Sequence, residues 1–173
     1  MEWILRGRCW KFGDNITNEE ALATSYTHHK DTYDPVKRGE WAHGLLAAID
    51  PDLTKKVKPG DIIVAGKRFA QGNMHWYWIG AMNHYGVGLV TESLPRGQFR
   101  NVVEVGLRVI PFFAGITESV DDGDELEVDF QGAIVINHSK GKTLQGKALP
   151  PFILEIMEAG GSLAYLKRKR GLG

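Results

Sequence analysis

Lys58-Pro59-Gly60-Asp61-Ile62-Ile63-Val64-Ala65-Gly66, followed later by Gly86-Val87-Gly88-Leu89-Val90, is the stretch on which the fold turns. Pro59-Gly60 is turn chemistry, and Ile62 to Ala65 is a short all-apolar run of the kind that a parallel sheet buries on both faces. Gly66 through Gly72 shows no period, so a loop leaves this strand. Residues 74–85 predict a helix closed by Gly86 at its C-terminus, and Val87 to Val90 then predicts a second buried strand. Strand, loop, helix and strand make a βαβ unit. A second round follows at once: Phe99, Val102, Val103 and Val105 recur at helical spacing, Gly106 is the stop, and Leu107-Arg108-Val109-Ile110 is a third strand.

Outward from this centre the signals weaken. Trp3-Ile4-Leu5 predicts a strand, and Gly13-Asp14-Asn15 a turn after it. Asn18 to Ala23 can open a short helix. Residues 24–35 are polar, lack an apolar period and end at Pro35, which predicts a long mobile loop; Trp41, Leu45, Leu46 and Ile49 then predict a helix over 36–50. Beyond Pro111 the period changes to two. Leu126, Val128 and Phe130 alternate with Glu125, Glu127 and Asp129, Gln131-Gly132 turns, and Ala133 to Ile136 completes an antiparallel hairpin. Pro151 suits the first position of a helix that Gly160-Gly161 ends, and Leu163 and Leu166 belong to a last short helix.

The whole is 173 residues with 43% hydrophobic, 10% aromatic and 24% charged, the size and composition of one globular domain over 1–173. Lys+Arg and Asp+Glu balance at 21 each. No net field therefore recommends nucleic acid or an anionic membrane, and association with another protein, or with a second copy when isolated, is the better expectation. The basic Lys167-Arg168-Lys169-Arg170 reads as a solvated helix end. No apolar run approaches the roughly 20 residues of a membrane helix, and Met1 to Arg6 lacks the features of a signal peptide, so a cytoplasmic location is expected. Cys9 is the single cysteine, which excludes an internal disulfide and any all-cysteine metal site built from this chain alone. His28 and His29 beside Asp31 and Asp34 lack metal-ligand spacing, so no metal site is expected here.

Several strings, in order along the chain, carry a resemblance. Gly7-Arg8-Cys9-Trp10-Lys11-Phe12-Gly13-Asp14-Asn15-Ile16, Lys58 to Lys67, Asp122-Gly123-Asp124-Glu125-Leu126-Glu127-Val128-Asp129, Thr143-Leu144 and Ile153 to Gly161 resemble the small subunit of 3-isopropylmalate dehydratase, the swivel-domain part of the aconitase superfamily. The resemblance implies an α/β fold, a swivelling β/β/α domain with a central mostly parallel sheet flanked by helices plus an antiparallel hairpin. It implies a large-subunit partner carrying an iron–sulfur cluster, with none bound by this chain, and a reaction that dehydrates or isomerises a hydroxy di- or tricarboxylic acid. One cysteine agrees with a cluster held elsewhere.

The departures from the family pattern locate the candidate site. The usual loop after the central strand reads Gly-Cys-Gly-Ser-Ser-Arg-Glu-His, with a serine as base and the arginine on a substrate carboxylate. Here the matching residues are Ala70-Gln71-Gly72-Asn73-Met74-His75-Trp76-Tyr77, and only Gly72 is kept. The family's Asp-Thr-Asp is Thr17-Asn18-Glu19, and its specificity loop falls near Ala23-Thr24-Ser25-Tyr26-Thr27-His28. An amide at Asn73 cannot take a proton, whereas the imidazole of His75 can do so near neutral pH, or as a cation can partner a carboxylate. His75 and Asn73 are the catalytic candidates. Gly72, Met74, Lys67, Arg68, Ser25, Tyr26, Thr27 and Trp76 are the substrate-binding candidates; Arg96, Arg100 and Asn101 are expected at the same end of the sheet. Trp76-Tyr77-Trp78 either lines a pocket or packs beneath it. The rewritten loop suggests an altered substrate, or alternatively a swivel module that binds its partner without catalysis.

Overall fold

The computed structural model describes residues 1–23, 25, 41–73 and 75–171. The seven strands among them are β1 Ile4–Lys11, β2 Ile62–Ala65, β3 Gly88–Thr91, β4 Val109–Ile110, β5 Glu125–Asp129, β6 Ile134–Asn137 and β7 Lys142–Gln145. They form one sheet in the order β4-β3-β2-β1-β5-β6-β7. From β1 to β4 the pairing is parallel, and from β1 through β7 it is antiparallel, so β1 joins two halves of opposite character. The helices are α1 Asn18–Ala21, α2 Leu53–Lys56, α3 Tyr77–Tyr85, α4 Arg96–Val105, α5 Ile116–Ser119, α6 Pro151–Ala159 and α7 Ser162–Lys169.

The two apolar strands behave as their composition requires. All four residues of β2 and of β3 are buried, because each strand has a strand on both sides and a packed layer on both faces. Side chains alternate between the layers. Ile63, Ala65, Leu89 and Val109 join the helices, with Trp78, Ile79, Met82, Val102 and Met157. Ile62, Val64, Val90 and Ile110 face the other way, onto Ile116, Leu126, Val128, Phe130 and Val135. Each fully buried aliphatic side chain of this kind contributes about 1.5–3 kcal/mol of transfer free energy. The antiparallel half closes on β3 through Phe130, whose ring occupies the place a Cβ on Gly88 would take.

The helix stops read from the sequence are observed, with Gly86, Gly106 and Gly160 all in the left-handed region. Pro151 is the first residue of α6. Two helix expectations need correction. Residues 36–40 of the helix expected over 36–50 lie outside the described residues, and within 41–50 only Trp41 and Ala42 are helical. Leu46 has φ 52, which an α-helix cannot hold, and Leu45 bridges to Leu22, so Trp41, Leu45 and Leu46 reach the core from successive turns. The helix expected from residue 74 begins at Tyr77, since the Asn73 carbonyl accepts from the His75 amide (3.2 Å) and closes a separate turn first. No periodicity marks strand β7, an edge strand with three of its four residues exposed. The expected mobile loop 24–35 lies, Ser25 apart, outside the described residues. No helix among the described residues is long and apolar enough to cross a membrane.

Candidate functional site

Three loops meet at the C-terminal edge of the parallel strands, the end at which open α/β sheets bind ligands. The loop after β1 runs beside the loop after β2: Asn15 N donates to Lys67 O (2.8 Å), Gln71 N to Ile16 O (3.1 Å) and Asn18 N to Gln71 O (2.7 Å). Asp14 adds a carboxylate oxygen that accepts from Lys67 N at 2.8 Å. The loop after β3 is tied in on the other side, where Ser93 accepts from Arg68 N with its hydroxyl (2.9 Å) and from Phe69 N with its carbonyl (3.1 Å). Thr91 donates to Gly66 O at 2.8 Å and pins the first residue of the β2 loop.

This loop is bent tightly. Arg68 and Ala70 have φ 58 and 56, and Asn15 opposite has φ 62, three of the five positive-φ residues other than glycine found among the described residues. Such conformations are costly and persist where surrounding bonds hold them. Gly72, the residue kept from the family pattern, has φ +100, a conformation closed to most L side chains. Thr17 caps α1 in a capping box, accepting from Glu20 N at 3.2 Å while Glu20 accepts from Thr17 N at 2.7 Å.

The candidate residues fall as follows. Lys67, Arg68, Gly72, Asn73 and His75 are exposed and lie together along the β2 loop. Arg68 Nε donates to Asn15 Oδ1 at 2.6 Å, which holds the guanidinium at the joint of two loops. The His75 ring stacks on Tyr77 with centroids 5.8 Å apart and planes 20° from parallel. Trp76 is half-buried and meets Trp41 edge to face at 6.2 Å. Trp78 is not at the surface: it lies in the core, edge-on to Phe69 at 5.3 Å. Ser25 is exposed, whereas Met74, Tyr26, Thr27, His28 and His29 lie outside the described residues. Arg96 opens α4 at this same edge, and Arg96 and Arg100 are exposed.

No local pattern in the sequence marks the polar chain beneath the loop. Gln98, 1% exposed, accepts from Trp78 Nε1 (3.2 Å) and donates both to Asn18 Oδ1 (3.1 Å) and to the Asn73 carbonyl (3.4 Å). Asn18 is itself buried. These partners are far apart in the chain, so only the folded topology brings them together.

Cys9 cannot serve a cluster. It is fully buried, and burial, reinforced by the Asp122 and Asp124 carboxylates against Lys11 and Arg8, pushes its thiol up to about 12. No group of three or more His, Cys, Asp or Glu among the described residues could hold a metal ion. The described residues therefore do not fit an iron–sulfur cluster.

Comparison with known proteins decides the family. No family model matches the chain. The isopropylmalate/citramalate isomerase small subunit of Methanocaldococcus jannaschii is 40% identical over 170 residues, 98% of this chain and 97% of its own length. The chain belongs to the 3-isopropylmalate dehydratase small-subunit family. The 3-isopropylmalate dehydratase small subunit of Aquifex aeolicus is 35% identical over 98% of both chains. The crystal structure of 3-isopropylmalate dehydratase from Methanocaldococcus jannaschii superposes with a TM-score of 0.84 at 31% identity, covering 98% of this chain and 96% of the other. That agreement establishes the expected architecture for this family member: a mixed sheet with helices against its parallel half and an antiparallel hairpin beyond β1.

Proposed function

We propose that this chain is the small subunit of a two-subunit hydro-lyase that dehydrates or isomerises a hydroxy di- or tricarboxylic acid other than the usual one, active only when joined to a large subunit. Membership of the 3-isopropylmalate dehydratase small-subunit family supports the reaction class. The observation that carries the altered chemistry is the β2 loop, which bears an exposed imidazole stacked on Tyr77 and, earlier in the same loop, the exposed Lys67 and Arg68. The iron–sulfur cluster that the family resemblance implies belongs to the large subunit in this reading.

Dehydration next to a carboxylate needs a group that removes a carbon-bound proton and a cationic partner for the carboxylate. His75 supplies the proton acceptor, since its imidazole is unencumbered by burial and held by a ring stack. Arg68 supplies the carboxylate partner. With Nε spent on Asn15, its two terminal amino groups remain for a two-pronged contact, and Lys67 beside it adds charge. Asn73 can donate its amide to a substrate oxygen but cannot act as base. Gly72 lets a substrate approach the backbone closely, and Met74, Trp76, Ser25, Tyr26 and Thr27 are the remaining substrate-binding residues in this proposal. The chain acts in the cytoplasm and has no need of nucleic acid or membrane.

The test is His75→Ala in the chain assembled with a large subunit and assayed on a panel of hydroxy di- and tricarboxylates. Turnover should fall by about a hundredfold, the scale of a lost general base, with subunit association unchanged. Full activity in the variant would place the base on the partner and reduce the loop to a pocket wall. If no hydroxy acid turns over with any large subunit, the chain is a non-catalytic swivel module.

A further inference from the structure

We propose that Gln98 is a positioning residue that holds the Asn73–His75 turn, and with it the His75 imidazole, in its working direction. The inference rests on the reading of His75 given above for its catalytic consequence, but not for its geometry. Gln98 lies on the first turn of α4, a separate element from the loop it serves, and its side-chain amide is buried.

Its orientation is fixed without ambiguity. Trp78 Nε1 can only donate, so the group facing it must be Gln98 Oε1, and the Asn73 carbonyl can only accept, so the group facing it must be Nε2. Both Nε2 hydrogens then have acceptors, on Asn73 and on Asn18 Oδ1. The Asn73 carbonyl receives two bonds, one from Gln98 and one from the His75 amide at 3.2 Å. Two donors converging on one carbonyl oxygen fix the plane of that peptide, and the next fixed point along the chain is the His75–Tyr77 stack. Gln98 thus joins α1 and the loop after β2 to helix α3 by one amide. A purely apolar residue of this size would fill the space but leave the Trp78 donor unpaired and the Asn73 oxygen with the His75 amide alone.

Two variants separate this role from general stability. Gln98→Met removes every bond of the amide, whereas Asn18→Ala removes only the Asn18 contact and leaves Gln98 facing Asn73. In the isolated full chain, the His75 ring carbon–proton resonance, assigned through its loss in His75→Ala, should move in Gln98→Met and stay in Asn18→Ala, with His84 and His138 as unmoved references. In the assembled enzyme, Gln98→Met should lower kcat about tenfold, the factor carried by one net hydrogen bond of positioning. It should cost nothing further in a His75→Ala background. Should Gln98→Met not fold, Gln98→Glu keeps the volume and the acceptor for Trp78 but turns an acceptor toward Asn73, and the same resonance is read. Movement of His75 in both variants alike, in neither, or a kcat loss that adds in full to that of His75→Ala overturns the proposal. If His75→Ala alone keeps full activity, the catalytic reading fails while the resonance comparison still decides whether Gln98 places the ring.

Discussion

Asp61 offers the sharpest test of how the parallel sheet is started. It is 6% exposed and precedes β2, and its carboxylate gathers three donors from two segments. Oδ1 accepts from Arg8 N at 3.0 Å; Oδ2 accepts from Trp10 Nε1 at 2.8 Å and from Lys58 N at 3.0 Å. One side chain therefore fastens β1 to the turn that launches β2. Asp61→Asn keeps the shape but only one oxygen. The best amide orientation keeps that oxygen on Trp10 and Lys58 and turns an NH2 toward the Arg8 amide, which loses one charge-assisted bond and costs about 2 kcal/mol. Asp61→Ala strands all three donors. The indole N–H is buried while the two backbone N–H groups reach some water, so about 4 kcal/mol is expected, a large part of a typical domain's stability. Urea unfolding followed by tryptophan fluorescence reads both, with the slope of the transition checked for constancy. A loss below about 1 kcal/mol for Asp61→Ala, or equal losses for the two variants, would refute the view that these bonds, rather than the turn sequence alone, set the entry to β2.

Two further outcomes follow from shifted groups. Burial works to raise the Asp124 carboxyl, but the Asp121 amide, the Asn137 side chain at 2.6 Å and Lys140 outweigh it and hold it below the ordinary carboxylate value. A depressed carboxyl stabilises the fold above its unfolded value and loses that contribution as pH falls through the folded value; Asp124→Asn should therefore be clearly less stable at neutral pH and converge with the parent in acid, as acid titration of the two by circular dichroism will show. Cys9, with its thiol pushed up to about 12, should resist iodoacetamide at pH 8 in the folded chain and react at once in urea, and fast labelling of the native protein would contradict the burial of this β1 residue in the core.

The parts of the fold that the sequence makes legible are those where neighbours in the chain share an environment. Ile62 to Ala65 and Leu89 to Thr91 are buried on both faces and show it in composition; Leu126, Val128 and Phe130 are buried on one face and show it in alternation. Trp41, Leu45 and Leu46 mislead because their spacing suits a helix, yet a left-handed Leu46 sends the chain elsewhere while the same side chains still reach the core. Lys142 to Gln145 is silent because an edge strand held by backbone pairing to β6 needs no apolar period. At the candidate site the contrast is the same. The β2 loop declares itself through its position after a buried strand, and Lys67, Arg68 and His75 fall there together. Asn18, Trp78 and Gln98 do not, since a polar contact between residues distant in the chain leaves no local pattern.

The placement of β1 carries a cost during synthesis. Ile4 pairs with Asp129 and Arg8 with Glu125, so one flank of β1 stays bare until the chain has grown past residue 129. Through that interval the nascent chain presents an open row of amides and carbonyls with Leu5 beside them, which is the kind of surface that recruits a neighbour's strand. Arg6 and Arg8 on that bare flank later meet Glu125, Glu127 and Asp122, and before those carboxylates exist they are uncompensated charges that discourage two unfinished chains from joining.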